Sequence, residues 1–396
     1  MNSAVKRIMI VTGEASGDLH GAKLINAVIA QSQGTFFYGV GGPKMAAAGC
    51  DILISSEQLA VMGIVEVIGH FPVIWRSFRR LKAELHGHRK PDALVLIDFP
   101  DFNLRLASQA KKAGVPVLYY VSPQVWAWRR GRVRKIARVV DSLAAIFPFE
   151  PVYYDGLDIR VKYVGNPLLD EFSTISQHID FRQKLQIPAS KKVVGLFPGS
   201  RRNELKYMLE TLVEAASLIR TEFPRVHFLV PIADSLSQTE IKSKFSPDLS
   251  VSFIESSMAS IYDIAKCCDT ILCVSGTVTL QIALAGTPMA IFYKASPLTY
   301  AIGRRLIRVD HFGLPNIVAG ARVVPEFLQD MATPKAVADE VLHVLNDADY
   351  AEEIRAGLRK VQDKLGKAGC SNRVAEMLLD MVRRSEYQTS NDTDDE

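Results

Sequence analysis

Short apolar runs alternate with longer amphipathic segments along most of the chain. Runs rich in branched and aromatic residues, bounded by Gly, Pro or Asp, are typical of buried parallel strands, and the segments between them have helical spacing. Such strands are predicted at 7–12, 36–40, 92–97, 115–121, 143–147, 161–164, 193–197, 227–231, 251–254, 271–274 and 290–293. This alternation of strands and helices predicts an α/β fold with parallel sheets.

The length of the chain predicts more than one hydrophobic core. Its 396 residues exceed the roughly 250–300 residues at which a single core stops growing. A polar linker at 173–190 separates two halves with the same alternation. We predict two doubly wound, Rossmann-like domains facing a cleft at 1–170 and 171–345, C-terminal helices at 346–385 that return to the first domain or exchange with a partner, and a disordered acidic tail at 386–396.

Composition narrows the class of protein. Hydrophobic residues make up 48% and charged residues 23% of the chain, which is typical of a globular protein. No apolar run approaches the roughly 20 residues of a membrane span, and Lys6-Arg7 leads directly into a strand without a signal peptide. The five cysteines have neither disulfide nor zinc spacing. A cytoplasmic location is therefore predicted.

Two strand–turn–helix units in the second half have the character of phosphate sites. Ser275-Gly276-Thr277 follows the strand at 271–274, and Pro198-Gly199-Ser200-Arg201 follows the strand at 193–197. Each turn leaves backbone N–H groups at the positive end of a helix dipole, and the second adds an arginine. The pair predicts a bound diphosphate.

The acids of the first half lie after predicted strands. Glu14, Ser16 and Asp18 follow the first strand, where a helix N-cap is an equally good interpretation. Asp98 and Asp101 follow the strand at 92–97. A carboxylate at the end of a buried strand is costly unless it is solvated, hydrogen-bonded or catalytic, so these two are the best candidates for a general base.

Two further segments combine apolar and basic residues. Segment 59–81 is almost wholly apolar before it becomes rich in arginine, so it is either a buried helix or an element that meets a membrane surface or an acyl chain. Segment 129–138 places Arg130, Arg134 and Arg138 on one helical face beside two tryptophans. A solvated face, RNA binding, and binding to an anionic membrane or phosphorylated substrate all remain open, with the last preferred.

Neither a dinucleotide site nor a metal site is predicted. Glycines 13, 17 and 21 do not have the G-x-G-x-x-G spacing. Asp347 and Asp349 are separated by one residue and lie between predicted helices, and neither belongs to a cluster of metal-ligating residues. Strand-end acids in one domain and phosphate turns in the other therefore favour metal-free transfer from a nucleotide donor, with helix N-termini and Arg201 stabilising the leaving diphosphate.

Seven motifs together resemble the lipid A disaccharide synthase family, glycosyltransferases of the GT-B fold. They are GEASGD (13–18), LAVMGIVEVIG (59–69), IDFPDFN (97–103), YVSPQVWAWRRGRVRKI (120–136), PGSR (198–201), SGT (275–277) and LPN (314–316). SPQVWAWR is specific by itself, whereas PGSR and SGT are specific only in combination. The resemblance runs from Gly13 to about Gly320.

The resemblance implies an inverting transfer in lipid A biosynthesis. UDP-2,3-diacylglucosamine would donate its sugar to the 6-hydroxyl of 2,3-diacylglucosamine 1-phosphate, giving a β-1′,6-linked disaccharide and UDP. Asp98 would be the base, with Asp101 and then Glu14 as alternatives. UDP would be held by Ser200, Arg201, Ser275, Gly276, Thr277, Gln281 and Asn316.

The resemblance also implies lipid partners and no cofactor. Acyl chains or the anionic inner face of the inner membrane of a Gram-negative bacterium would meet Ser16, Val61, Met62, Val65, Trp75, Trp126, Arg129 and Arg130. We expect peripheral membrane association, no metal and no nucleic acid, and the C-terminal helices are compatible with a homodimer.

Gln281 departs from the pattern of this fold, which usually has a ribose-binding glutamate at that position. Glutamine keeps one acceptor oxygen but loses the charge-assisted hydrogen bond. Two alternatives therefore remain open. One is a UDP-sugar 2-epimerase, which would not need the 59–81 segment. The other is a lipid-binding module without catalysis.

Overall fold

The computed structural model describes residues 5–59, 64–123, 125–126, 131–174, 181–296, 300 and 310–394, and the side chains of all of these except 64–71, 202–204 and 386–394. The chain divides into two compact units. The first unit comprises Met1–Asp170 and Lys367–Glu396, and the second comprises Glu171–Gly366.

The strands form one parallel sheet in each unit. The first sheet has the order β3-β2-β1-β4-β5-β6-β7 and the second has the order β10-β9-β8-β11-β12-β13. In chain order the strands are β1 Arg7–Thr12, β2 Phe36–Gly41, β3 Asp51–Ser55, β4 Ala93–Ile97, β5 Val117–Tyr120, β6 Ser142–Ala145, β7 Arg160–Tyr163, β8 Val193–Phe197, β9 His227–Ile232, β10 Val251–Glu255, β11 Thr270–Val274, β12 Met289–Tyr293 and β13 Glu326–Leu328.

Helices connect these strands throughout the described chain. They are α1 Ala15–Gln31, α2 Pro43–Ala47, α3 Ile64–Glu84, α4 Pro100–Lys112, α5 Arg132–Val139, α6 Pro167–Thr174, α7 Phe181–Lys184, α8 Arg202–Glu222, α9 Gln238–Lys242, α10 Ile261–Cys267, α11 Val278–Ala285, α12 Leu314–Ala319, α13 Pro334–Asn346, α14 Ala348–Leu365 and α15 Cys370–Asp394. The predicted α/β class with two parallel-sheet, Rossmann-like units is confirmed.

Each face of the first sheet has its own core. Ile8 and Ile10 of β1 pack with residues of α1 and α15 on one face, whereas Met9 and Val11 pack on the other face with residues of α4 and α5. Successive side chains of a strand point to opposite faces, and both faces are covered by helices. This double burial explains why the strand reads as a continuous apolar run.

The last two long helices belong to different units. Helix α14 packs against α11, α12 and α13 of the second unit, and α15 packs against α1 of the first. The predicted segment 346–385 therefore splits near Gly366. Helix α15 continues to Asp394, where the sequence predicts a disordered tail, because a helix anchored by packing extends at little cost per residue.

Short and exposed elements differ most from the sequence-based expectation. Strands β3 and β13 were not predicted, since their residues are mostly half-buried and lack a strong apolar run. Residues 311–320, a segment rich in Gly, Pro and Asn, contain helix α12, with Pro315 in its first turn and Gly320 at its C-cap with φ +67°. Proline at a helix start and glycine past its end are the usual boundary residues.

Candidate functional site

The strand order of the first unit brings two predicted acids to neighbouring strand ends. Strands β1 and β4 are parallel neighbours, with Thr12 beside Ile97. The chain winds outward from β1 to β3 on one side and from β4 to β7 on the other. This reversal is the point at which doubly wound sheets bind ligands. Glu14 and Asp98 follow these two strands.

The backbone at Asp98 is held in an uncommon conformation. Asp98 and Phe99 have φ values of +48° and +49°, which cost roughly 1–3 kcal/mol each for residues other than glycine. The Asp98 carbonyl accepts hydrogen bonds from Asn103 Nδ2 at 2.7 Å and from the Tyr119 hydroxyl at 2.6 Å. Gly13 makes room for the Phe99 ring, which would lie 2.5 Å from a Cβ at that position. The surroundings therefore fix where Asp98 points.

The three candidate bases differ in their environment. Burial, and then the charge of Glu14, raises the pKa of Asp98 above its ordinary value. The Asp101 side chain is 78% exposed and forms an ion pair with Arg132 at 2.5 Å. Glu14 is exposed at the N-terminus of α1. Asp98 is thus the candidate whose environment favours accepting a proton.

Asp18 and Ser16, the other polar residues that follow β1 in the sequence, lie in different environments. Asp18 is buried and accepts hydrogen bonds from the backbone N–H groups of Gly42, Lys44 and Met45 at 2.7–3.0 Å. It therefore anchors the start of α2, while Glu14 occupies the N-cap position of α1 without a side-chain cap hydrogen bond. Ser16 is exposed on the first turn of α1.

A pocket of about 200 Å³ lies beside Asp98, at the carboxyl ends of β4, β5 and β6. Its lining includes Asp98, Ser122, Arg132, Ile146, Phe147 and Glu150. Glu150 was missed by the sequence analysis. Its side chain is 3% exposed, and burial raises its pKa from 4.5 to about 7. The available signal was an acid closing the short turn Phe147-Pro148-Phe149 after a buried strand.

The second unit places both predicted phosphate turns side by side. Strands β8 and β11 are parallel neighbours, with Phe197 beside Cys273, and the strand order again reverses between them. Pro198–Arg201 and Ser275–Thr277 follow these strands and lead into α8 and α11. Ser200, Arg201, Gly276 and Thr277 are exposed there. Two helix N-termini at one switch point are an arrangement typical of anion-binding sites.

Asn316 and Ser275 take part in the hydrogen bonds of the 311–324 segment. Asn316 is fully buried, donates to the Val324 carbonyl at 2.9 Å and accepts from the backbone N–H groups of Val323 and Val324. The Ser275 hydroxyl donates to the Phe312 carbonyl at 3.2 Å. The Asn316 side chain thus holds this segment rather than reaching a ligand itself, in contrast to the predicted UDP contact.

Gln281 lies on α11 and belongs to a small polar network. Its side chain hydrogen-bonds Tyr262, which also hydrogen-bonds Glu171. Burial and then the charge of Glu171 raise the pKa of Tyr262. The network therefore fixes the orientation of the Gln281 amide, close to the Ser275–Thr277 turn.

The residues predicted to meet lipid are found in different settings. Trp75 on α3 is 49% exposed, and the Arg79 guanidinium lies 4.7 Å from the centre of its ring. Trp126 is only 4% exposed because its ring packs against Phe147 and Phe149, and it is therefore not part of an exposed membrane-binding surface. The predicted lipid contacts outside the described side chains are Val61, Met62, Val65, Arg129 and Arg130.

Metal and membrane-span signatures are absent from the residues that the structure describes. These residues contain no cluster of His, Cys, Asp and Glu that could hold a metal ion. Asp347 instead caps α14 by accepting a hydrogen bond from the Tyr350 backbone N–H at 2.9 Å. Nor do the described residues include a helix with the length and apolarity needed to cross a bilayer.

The chain matches the model of a known protein family and several of its members. The model of the lipid-A-disaccharide synthetase family matches residues 8–379. A lipid-A-disaccharide synthase of Syntrophotalea carbinolica is 58% identical, covering 96% of each chain. Another, from Geobacter metallireducens, is 49% identical, covering 95% of this chain and 97% of the relative.

Solved structures resemble the chain in fold alone. A UDP-GlcNAc 2-epimerase from Neisseria meningitidis has a TM-score of 0.62 at 13% identity, covering 94% of this chain and 100% of its own. The glycotransferase of kitacinnamycin has a TM-score of 0.62 at 16% identity, covering 96% of this chain and 100% of its own. The family model and the identity to relatives over nearly their full length decide the assignment: this chain belongs to the lipid-A-disaccharide synthetase family.

Proposed function

We propose that the chain transfers the sugar of UDP-2,3-diacylglucosamine to the 6-hydroxyl of 2,3-diacylglucosamine 1-phosphate, with inversion, giving the β-1′,6-linked disaccharide and UDP. Membership of the family establishes an enzyme of lipid A disaccharide synthesis. The observation that carries the finer proposal is the half-buried Asp98 at one switch point, with paired phosphate turns at the other.

Asp98 acts as the base in this mechanism. It takes the proton of the acceptor hydroxyl while that oxygen forms a bond to the anomeric carbon of the donor sugar. The bond from that carbon to UDP breaks, and the diphosphate leaves with the electron pair. One carboxylate is enough for this direct displacement, since no covalent intermediate forms, and a raised pKa makes it a better proton acceptor.

The second unit binds the donor. Backbone N–H groups at the starts of α8 and α11 face the diphosphate together with Arg201, and these groups stabilise the charge that develops on the leaving group. Gln281, held by Tyr262, offers its amide oxygen to a ribose hydroxyl. Asn316 contributes indirectly, by holding the segment that Ser275 contacts.

We also propose that the protein works at the inner face of the inner membrane without a metal cofactor. The exposed Trp75 and its neighbouring arginines on α3 support this location, because an aromatic ring and cationic side chains suit an anionic bilayer surface. Acylated substrates would reach the enzyme from that surface. A homodimer remains part of the proposal, to be tested by mass measurement in detergent.

Replacement of Asp98 tests the base assignment. Asp98→Asn keeps the shape of the side chain but cannot accept a proton, so kcat should fall by about 10²–10⁴-fold. Asp101→Asn is the matched control, and its kcat should stay within about threefold, since an exposed ion pair contributes little. Disaccharide formation from both lipid substrates is the measurement. Full activity of Asp98→Asn would refute the assignment.

A further inference from the structure

The pocket beside Asp98 contains a second carboxyl group, which the mechanism above does not use. Glu150 Oε2 accepts hydrogen bonds from the backbone N–H groups of Ile146 at 2.8 Å and Phe147 at 3.0 Å. A carboxyl group that is 3% exposed is costly to bury unless hydrogen bonds satisfy it.

Two more buried polar groups lie close to Glu150. They are Trp126 Nε1 and the Tyr154 hydroxyl. Trp126 Nε1 and Glu150 are near enough for the indole to lower the pKa of the carboxyl, and the Tyr154 hydroxyl lies near Ser122. Trp126 and Tyr154 therefore lie next to two residues that line the pocket, Glu150 and Ser122, and one wall of the pocket is polar, as a polar ligand requires.

The size and charge of the pocket restrict the class of that ligand. Its volume of about 200 Å³ is below the roughly 300–1,000 Å³ of pockets that enclose drug-sized molecules. Asp98 and Glu150 line it, and the guanidinium of Arg132 is already paired with Asp101. A phosphate would meet two acids there. A neutral ring with several hydroxyl groups, each able to donate and accept, fits better.

We propose that this Glu150 pocket seats the glucosamine ring of the acceptor, and that Glu150 binds one hydroxyl of that ring next to Asp98. The inference rests on the proposed function, because the base must lie beside the hydroxyl that it deprotonates, and Asp98 lines this pocket. Phe147 supplies an apolar wall for the ring, while the backbone contacts of Glu150 keep the carboxyl in place.

Glu150→Gln is the most direct test. The amide oxygen still accepts the hydrogen bonds of Ile146 and Phe147, but the NH₂ that replaces Oε1 cannot accept one from a sugar hydroxyl. We expect the KM for the acceptor to rise by about tenfold or more, as for the loss of a hydrogen bond to a charged group. The KM for the UDP-sugar should stay within about twofold, since that substrate binds the other unit.

Two further variants separate binding from folding. Ser122→Ala removes a hydroxyl that lines the pocket, and it should raise the acceptor KM about threefold or more. Glu57→Gln removes an exposed acid of the same unit and should change neither KM. Thermal melting of each variant reports its folding.

The possible results divide clearly. A selective rise of the acceptor KM in Glu150→Gln and Ser122→Ala supports the inference. Wild-type acceptor KM values in both, or equal rises for both substrates together with a lower melting temperature, overturn it. Failure of the wild-type protein to form any disaccharide would instead remove the proposed function on which the inference rests.

Discussion

Asp98 and Glu14 are coupled through charge at the residue scale. The two residues follow adjacent strands, and the negative charge of Glu14 is the second cause, after burial, of the raised pKa of Asp98. A like charge nearby disfavours the ionised form of a carboxyl group. We therefore expect Glu14 to raise the pKa of the neighbouring base, although its sequence position also made it a candidate for the base itself.

Neutralising Glu14 should lower the pKa of Asp98. The acidic limb of the pH profile of kcat/KM reports protonation of the base in the free enzyme, so Glu14→Gln should shift this limb to lower pH. Glu57→Gln, at an exposed position of the same unit, should leave the limb in place. An unchanged limb in Glu14→Gln, or a shift to higher pH, would contradict the coupling.

Prediction from sequence succeeded for Asp98 and failed for Glu150 for a physical reason. Asp98 directly follows a continuous apolar strand, so both its burial and its position at a sheet edge follow from local pattern. Glu150 lies in a turn that looks exposed in the sequence. Its burial arises from contacts with residues outside the turn, such as Trp126. The burial of Trp126 was missed for the same reason.

At the scale of elements, the start of α15 depends on one acid of the first unit. Asp170 accepts hydrogen bonds from the backbone N–H groups of Gly369, Cys370 and Ser371. These are groups that the helix cannot satisfy internally. Arg373 adds hydrogen bonds to the carbonyls of Val164 and Lys367. A carboxylate remote in sequence therefore fixes the return of the chain to its first unit.

Removing this cap should weaken the attachment of α15. Asp170→Ala leaves three backbone N–H groups without their acceptor and should lower the free energy of unfolding by about 1–3 kcal/mol. Thr333→Ala, which removes the ordinary N-cap of α13, should cost about 1 kcal/mol. Urea unfolding measures both. Equal, small losses would show that the Asp170 contacts do not hold the helix.

Element boundaries were predictable where the apolar pattern was strong. The strands β1 and β8 have the predicted bounds, since each is a buried run of branched and aromatic residues. Helix α12 was not predicted, because Gly, Pro and Asn within a short segment indicate a loop. The Asn316 side chain and the Glu326 carboxylate stabilise that segment through contacts that local sequence does not reveal.

At the scale of the whole molecule, the two units share one type of sheet but carry different chemical groups at the ends of its strands. Each unit has the strand order of a doubly wound sheet, with candidate groups on both sides of the reversal. In the first unit, acids follow the strands at the reversal, and a pocket lies beside one of them, Asp98. In the second unit, small residues, an arginine and two helix N-termini follow the strands at the reversal. The sequence alone predicted both the acids of the first unit and the phosphate turns of the second, because strand–turn–helix patterns are local. The pairing of β1 with β4 and of β8 with β11 required the fold.

At the same scale, the proposed membrane contact involves the exposed surface of α3, which carries Trp75 and Arg79. Trp75→Ser and Arg79→Ser should each weaken partition onto anionic vesicles, Arg79→Ser by about fivefold, since a basic side chain near such a surface is worth about 1 kcal/mol. Met331→Ser, at another exposed apolar position, is the control. High salt should weaken binding of the wild-type protein. Salt-independent binding, unchanged in all three variants, would contradict the proposed surface.

The stereochemistry of the product tests the proposed inverting transfer. The purified protein would be incubated with UDP-2,3-diacylglucosamine and 2,3-diacylglucosamine 1-phosphate, and the new glycosidic bond examined by NMR. We expect a β-1′,6-linked disaccharide with one UDP released per bond formed, and no change in the UDP-sugar when the acceptor is omitted. An α linkage, or epimerisation of the UDP-sugar without acceptor, would contradict the proposed transfer.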